Sequence, residues 1–227
     1  TASANITLDS IPRASSVSAA NMTMGSAGTI SINRASSAFT HTLTYSFGNT
    51  NGTIATKTTA TSVSWTPALS LASQIPNAIS GTCTITCTTY NGNTNIGSKT
   101  CTLTLSIPAS VKPTISSLTA SRIDGEVPST WGIYVQTKSK VKLTINGAAG
   151  SYGSTIKSYS ITGGGYSGSA STLTTGFLNN SGTITFKATV TDSRGRVSAE
   201  ASVSITVTAY SPPYFNSSLS QRCLSNG

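Results

Sequence analysis

One histidine, four cysteines and five carboxylates are the residues with which this 227-residue chain could do chemistry. A nucleophilic triad needs a serine, cysteine or threonine beside a base, and an orienting group behind that base. His41 is the sole imidazole, and it stands in Thr40–Phe47, where His41, Leu43, Tyr45 and Phe47 alternate with threonine and serine. On such a strand face it reads as a packed or interfacial imidazole rather than a general base. Glycoside hydrolysis takes two carboxylates facing each other across a bond. The carboxylates here are Asp9, Asp124, Glu126, Asp192 and Glu200. Asp124 and Glu126 flank Gly125 in a turn, and Asp192 opens a loop as an Asx-turn residue would. No two of them converge, so no catalytic residue is assigned and the chain reads as non-enzymatic.

Cys83 and Cys87 sit four apart on one strand face, roughly 13 Å at strand rise, too far to share a zinc ion. No metal or cofactor is assigned. Cys87 and Cys101 lie about equally far from a hairpin tip, which leaves a cross-strand disulfide open beside the reading of the thiols as core packing. The glycine-rich Ile161–Ser171, ITGGGYSGSAS, lacks the Gly-Lys-Ser/Thr ending of a phosphate loop and opens no helix. Its glycines serve turns or close strand approach, leaving Tyr166 exposed in a loop to stack on a sugar ring or a partner.

The elements that must position these residues are strands. Gly81–Ile107, GTCTITCTTYNGNTNIGSKTCTLTLSI, alternates apolar with polar residues on both sides of a polar loop, and Gly182–Val207, GTITFKATVTDSRGRVSAEASVSITV, does so again. Cys83, Ile85 and Cys87 fall on Ile184, Phe186 and Ala188; Cys101, Leu103, Leu105 and Ile107 fall on Ala201, Val203, Ile205 and Val207. A hairpin that recurs after about one hundred residues has the period of one immunoglobulin-like sandwich. The fold class is therefore all-β: two tandem immunoglobulin-like or fibronectin type III-like sandwiches.

Residues 1–12 resemble the close of the first repeat: Ile6–Pro12 and Leu103–Pro108 both end on Ile-Pro, as the terminal strand of a preceding module would. Residues 13–108 form the first sandwich, 109–113 a stiff Pro-bounded linker, and 114–208 the second sandwich. In 209–227, Ser211-Pro212-Pro213 repeats the linker and the rest resembles the opening strand of a third module. Between Trp65 and Gly81, PALSLASQIP is short and Pro-bounded, enough for one helical turn.

Charged residues make up 8% of the chain, against about 25% in ordinary soluble domains. Threonine suits exposed strand faces and builds a neutral surface in their place. Fourteen Lys and Arg stand against five Asp and Glu, a balance that favours anionic partners. No apolar run is long enough to cross a bilayer, so no membrane partner is expected. Stacking aromatics are too few on one face for nucleic acid. Candidate contact residues are Arg194 and Arg196 in the Asp192–Arg196 loop, Tyr166, and a cluster of Trp131 and Tyr134 beside Lys138, Lys140 and Lys142.

Ile11–Ser16 (IPRASS), Thr29–Gly48 (TISINRASSAFTHTLTYSFG), Trp65–Gly81 and Cys87–Gly92 (CTTYNG) resemble a family of minor structural proteins of siphoviruses and prophages of Gram-positive bacteria. Val141–Ser169 and the closing SPPYFNSSLSQRCLSNG resemble that family's continuation. The resemblance covers most of the chain and implies a tail-associated virion protein made of immunoglobulin-like modules, assembled in a reducing cytosol where cysteines stay as thiols. It carries over no catalytic residue. The expected partners are other virion proteins or further copies of the chain. The alternative function is a host-attachment module of a tail fibre, or a bacterial surface or secreted adhesin, that contacts anionic cell-wall polymers, glycan or teichoic acid.

Overall fold

A computed structural model describes residues 13–123 and 125–214. The strand remnants expected in 1–12 and 215–227, together with Asp9, Asp124 and Cys223, lie outside the described residues. The first half of the chain runs β1 (Ser16–Ala19), β2 (Met22–Thr23), β3 (Gly28–Asn33), β4 (Phe39–Phe47), β5 (Thr50–Thr58), β6 (Ser62–Trp65), a 3-10 turn at Leu69–Gln74, β7 (Ser80–Asn91) and β8 (Thr94–Ser106). The second runs β9 (Ser117–Ile123), a 3-10 turn at Ser129–Trp131, β10 (Tyr134–Val135), β11 (Lys140–Asn146), β12 (Ile156–Gly163), β13 (Tyr166–Gly168), β14 (Thr172–Thr174), β15 (Gly182–Asp192) and β16 (Ala201–Thr208).

The two halves share one topology. A three-stranded sheet, β1-β3-β6, faces a five-stranded one, β2-β8-β7-β4-β5; their counterparts are β9-β11-β14 and β10-β16-β15-β12-β13. In each half the opening strand is divided. β1 pairs antiparallel with β3, and after Ala20 and Asn21 the chain crosses so that β2 runs parallel to β8. Asn21 Oδ1 accepts the Thr104 amide at 2.9 Å and so fixes that crossing. β10 and β16 repeat the parallel pairing. All-β architecture with immunoglobulin-like sandwiches is what the alternation predicts.

Two compact units divide the described residues. One comprises 13–115 with Ala148–Ser158 and Val190–Ala199; the other comprises Ser116–Gly147, Tyr159–Thr189 and the residues from Glu200 onward. The core of the first is built from Ile30, Leu43, Phe47, Cys83, Ile85, Cys87 and Leu105, buried at alternate strand positions, with Met24 from the turn after β2. The second unit buries Val141, Leu143, Ile161, Leu178, Ile184, Phe186 and Val207. The cysteines on β7 are thus core residues, as the sequence predicts. No helix among the described residues is long and apolar enough to cross a membrane.

Three local expectations change. In β7–β8, Cys83 faces Leu103 and Leu105 runs beside Met22; in β15–β16, Ile184 faces Ile205 and Val207 runs beside Tyr134. Leu103 and Leu105 therefore correspond to Ile205 and Val207, two residues beyond the match read from the alternation alone, and Cys101 corresponds to Val203. The second hairpin has the longer connection, its last bridge joining Thr191 to Val197 where the first pairs Asn91 with Thr94, and a period of two hides a slip of two. The same register sets Cys87 opposite Lys99 and Cys101 opposite Ile85, and Cys83, Cys87 and Cys101 are free thiols. Finally, Tyr166 lies on a strand and not in a loop: Gly163, Gly164 and Gly165, with φ of 147°, 56° and 83°, turn β12 into β13. A Cβ on Gly163 would meet the Thr185 carbonyl oxygen at 2.6 Å, so this glycine admits a close main-chain approach.

Candidate functional site

The Asp192–Arg196 loop is built by an Asx turn. Asp192 Oδ1 accepts the amides of Arg194 at 3.0 Å and Arg196 at 2.9 Å, and Gly195 takes the left-handed conformation that completes the turn. Arg194 is only 7% exposed. Its Nη2 donates to the carbonyls of Ala72 (2.8 Å) and Tyr152 (2.7 Å), its Nη1 to Ser151 (2.6 Å) and its Nε to Ile75 (3.3 Å). Ala72 and Ile75 close the 3-10 turn at Leu69–Gln74; their carbonyls also accept the amides of Ile75 and Ala78, and a cation is favoured at such a helical end. Burial lowers the Arg194 pKa, opposed by the charge of Asp192. Half-buried Arg196 donates through Nη1 to the carbonyls of Val111 (2.8 Å) and Pro108 and through Nη2 to that of Ile107 (2.7 Å). Both guanidinium groups are therefore engaged with main chain inside the first compact unit.

His41 is fully buried, and its Nε2 lies 2.9 Å from Ser15 Oγ. The Ser15 amide in turn donates to Thr89 Oγ1 at 3.0 Å. A serine hydroxyl on an imidazole is the start of a nucleophilic arrangement, but Ser15 is 1% exposed and its Oγ also accepts the Ala35 amide. The pair ties the residue that leads into β1 to β4 and lacks access for a substrate. Burial lowers the His41 pKa. Among the carboxylates, Glu126 pairs with Lys138 and Glu200 with Lys187. Among the described residues no group of three His, Cys, Asp or Glu could hold a metal ion.

The aromatic and basic residues of the second unit do come together. The 3-10 turn at Ser129–Trp131 ends on Gly132 with φ of 63°, leaving Trp131 62% exposed. Arg122 Nη1 donates to the carbonyls of Val127 and Pro128 and anchors the approach to that turn. After β10 the chain reverses through Thr137, whose φ of 59° is rare for a β-branched residue. The reversal is held by Thr137 N to the Leu178 carbonyl (2.8 Å) and Val135 N to Ser139 Oγ (2.9 Å). It delivers Lys138 Nζ to Glu126 Oε2 at 2.7 Å and over the Tyr210 ring at 5.5 Å. The Glu126 carboxylate raises the Lys138 pKa.

Glu126, Val127, Pro128, Trp131, Val135, Lys138 and Tyr210 line an open concavity of about 370 Å³. A smaller one of about 120 Å³ shares Glu126 and Lys138 and reaches Lys140 and Phe177. Lys140 Nζ sits 4.6 Å from the Phe177 ring centroid, and Tyr166 Oη donates to the Phe177 carbonyl at 2.6 Å. Lys142, two residues along β11 on the same face as Lys140, is exposed; Tyr134 is half-buried, its pKa raised by burial. Sequence reasoning missed Glu126, Phe177 and Tyr210 here, because only the fold brings 126, 177 and 210 beside Lys138.

These features define a class: a tandem immunoglobulin-like β-sandwich protein whose buried arginines hold main chain and whose second unit opens an aromatic and lysine-lined surface. The chain belongs to the family described as "Siphovirus protein of unknown function (DUF859)", whose model matches residues 1–225. This bears out the resemblance to a siphovirus family. No curated protein matches the chain. Similar solved structures include fibronectin(III)-like modules of Clostridium thermocellum CbhA, at 17% identity and a TM-score of 0.35, covering 89% of this chain and 94% of that one. Chicken CNTN1 FN1-FN3 domains match at 8% identity and 0.32, covering 86% and 68%. The N-terminal four Ig domains of Dscam1 isoform 4.44 match at 13% and 0.32, covering 90% and 45%.

Proposed function

We propose that this siphovirus-family protein is a non-enzymatic structural component of the virion, a tail-associated spacer or decoration. The observation that supports it is the use made of its polar side chains. Arg194, Arg196, Asp192, Ser15 and His41 all bind the protein's own backbone or one another, as in a scaffold that resists deformation. Peptide mass spectrometry of gradient-purified virions tests this reading. The polypeptide is expected among the virion proteins, and its confinement to the soluble fraction of lysed cells would contradict it.

A second reading, contact with host cell-wall glycan or teichoic acid, is favoured by the open surface around Trp131 and Lys138. Retention on purified host cell walls at low salt and release at high salt is its expected signature.

A further inference from the structure

We propose that the concavity between Trp131, Tyr210 and Lys138 is a saccharide site, and that it takes a sugar ring bearing an anionic substituent. The proposal rests on the second reading for where the ligand is met, but its chemistry is argued from the site alone.

The concavity is large enough for one or two sugar rings. Its wall is apolar, formed by Val127, Pro128 and Val135. At its mouth stand two aromatic rings that the fold leaves open, Trp131 at 62% and Tyr210 at 39% exposure. The C–H face of a pyranose matches an aromatic face in shape and polarity. The polar groups at the rim are a joined donor and acceptor, Lys138 and Glu126, which suit the alternating hydroxyls of a sugar edge.

Charge decides the class of sugar. Glu126 faces the concavity and would repel an anion, but Lys138 neutralises it at 2.7 Å. Lys140, which lines the adjoining smaller concavity, and Lys142 project from the same face of β11, and neither is in an ion pair among the described residues, so these two cations remain to attract an anionic substituent. The left-handed Thr137 is a second, independent sign: a strained β-branched turn persists where surrounding structure holds it, and this one sets the position of Lys138.

The test uses the whole chain on an array of uronate-, sialate- and phosphate-bearing oligosaccharides printed beside their neutral counterparts. Titration of the best binder is followed by tryptophan emission. The chain has two tryptophans. Trp65 packs half-buried against Tyr45 with ring centroids 5.0 Å apart, so a ligand at the concavity shifts the Trp131 component alone. Trp131→Ala is expected to weaken binding at least about tenfold, with Trp131→Tyr restoring part of it. The double variant Lys140→Gln/Lys142→Gln is expected to flatten the salt dependence. Thermal melts of each variant should match that of the parent, since all these residues are on the surface.

Absence of every acidic saccharide from the bound set overturns the proposal. So does equal binding by Trp131→Ala, or preferential binding of a proline-rich peptide, which would mark a protein-docking groove. Binding of acidic saccharides without retention on host cell walls would sustain this site while removing the second reading of function.

Discussion

Arg194 Nη2 lies 2.8 Å from the carbonyl oxygen of Ala72, which also receives the Ile75 amide where the Leu69–Gln74 turn ends. The two residues are 122 positions apart in sequence. An arginine that reads as a hook for an anion is in fact the cap of a helical turn, donating to four carbonyls drawn from two segments of the chain.

Replacing it should be expensive. Arg194→Met leaves those carbonyls without their charged donor, and the loss is expected to be about 3 kcal/mol, or roughly 10 °C in Tm. Arg194→Lys should rescue little, because an ammonium cannot match the fork of the guanidinium. Thermal and urea melts followed by circular dichroism check this; an unchanged midpoint would mean that the contacts are incidental.

His41 makes stability depend on mildly acidic pH. Burial lowers its folded pKa below the ordinary 6.5, so the unfolded chain binds the proton more tightly. The contribution of the neutral ring is fully present above pH 6.5 and is lost as pH falls from there towards the folded value. The urea midpoint of the parent should drop across that window, and that of His41→Gln should stay flat within it. Equal slopes in the two proteins would count against a buried neutral imidazole.

The β7 thiols should be inert. Burial pushes Cys83 up to about 11 and raises Cys87 as well, so neither supplies thiolate at neutral pH. Iodoacetamide at pH 8 followed by peptide mapping should leave both unmodified in the native protein and modify both in urea. A disulfide-linked peptide joining Cys87 to Cys101 would contradict the register in which Cys101 faces Ile85.

Gly163→Ala tests the hairpin that the glycine run hides. The new Cβ would meet the Thr185 carbonyl oxygen at 2.6 Å and Phe186 Cα at 2.8 Å, both main chain and unable to yield. With φ at 147° the residue is also strained for any side chain, and roughly 2 kcal/mol or more should be lost. Gly165→Ala, which meets nothing within 4 Å but shares a left-handed φ, should cost less. A larger loss at Gly165 would reverse the assignment of the tight approach.

The sandwiches were legible because burial repeats at every second residue: β7 and β15 alternate over most of their length, and period 2 survives almost any surrounding. Register was not, since the two hairpins differ in the length of their connections and a slip of two leaves no mark in an alternating run. β13 was hidden because it has only the three residues Tyr166–Gly168 and follows three glycines, a pattern that reads as loop. The role of Arg194 depends on where the 3-10 turn carbonyls point, which spacing cannot encode. Trp131 and Lys138 were visible as a cluster because they are close in sequence, whereas Tyr210 joins them only through the fold.

The central claim is that this chain is part of the siphovirus tail. Gold-labelled antibody against the chain, applied to intact virions and viewed by electron microscopy, tests it most directly. Label along the tail or at its tip is the result expected of a tail-associated structural protein. Virions that remain unlabelled, or that carry gold on the capsid alone, would contradict it.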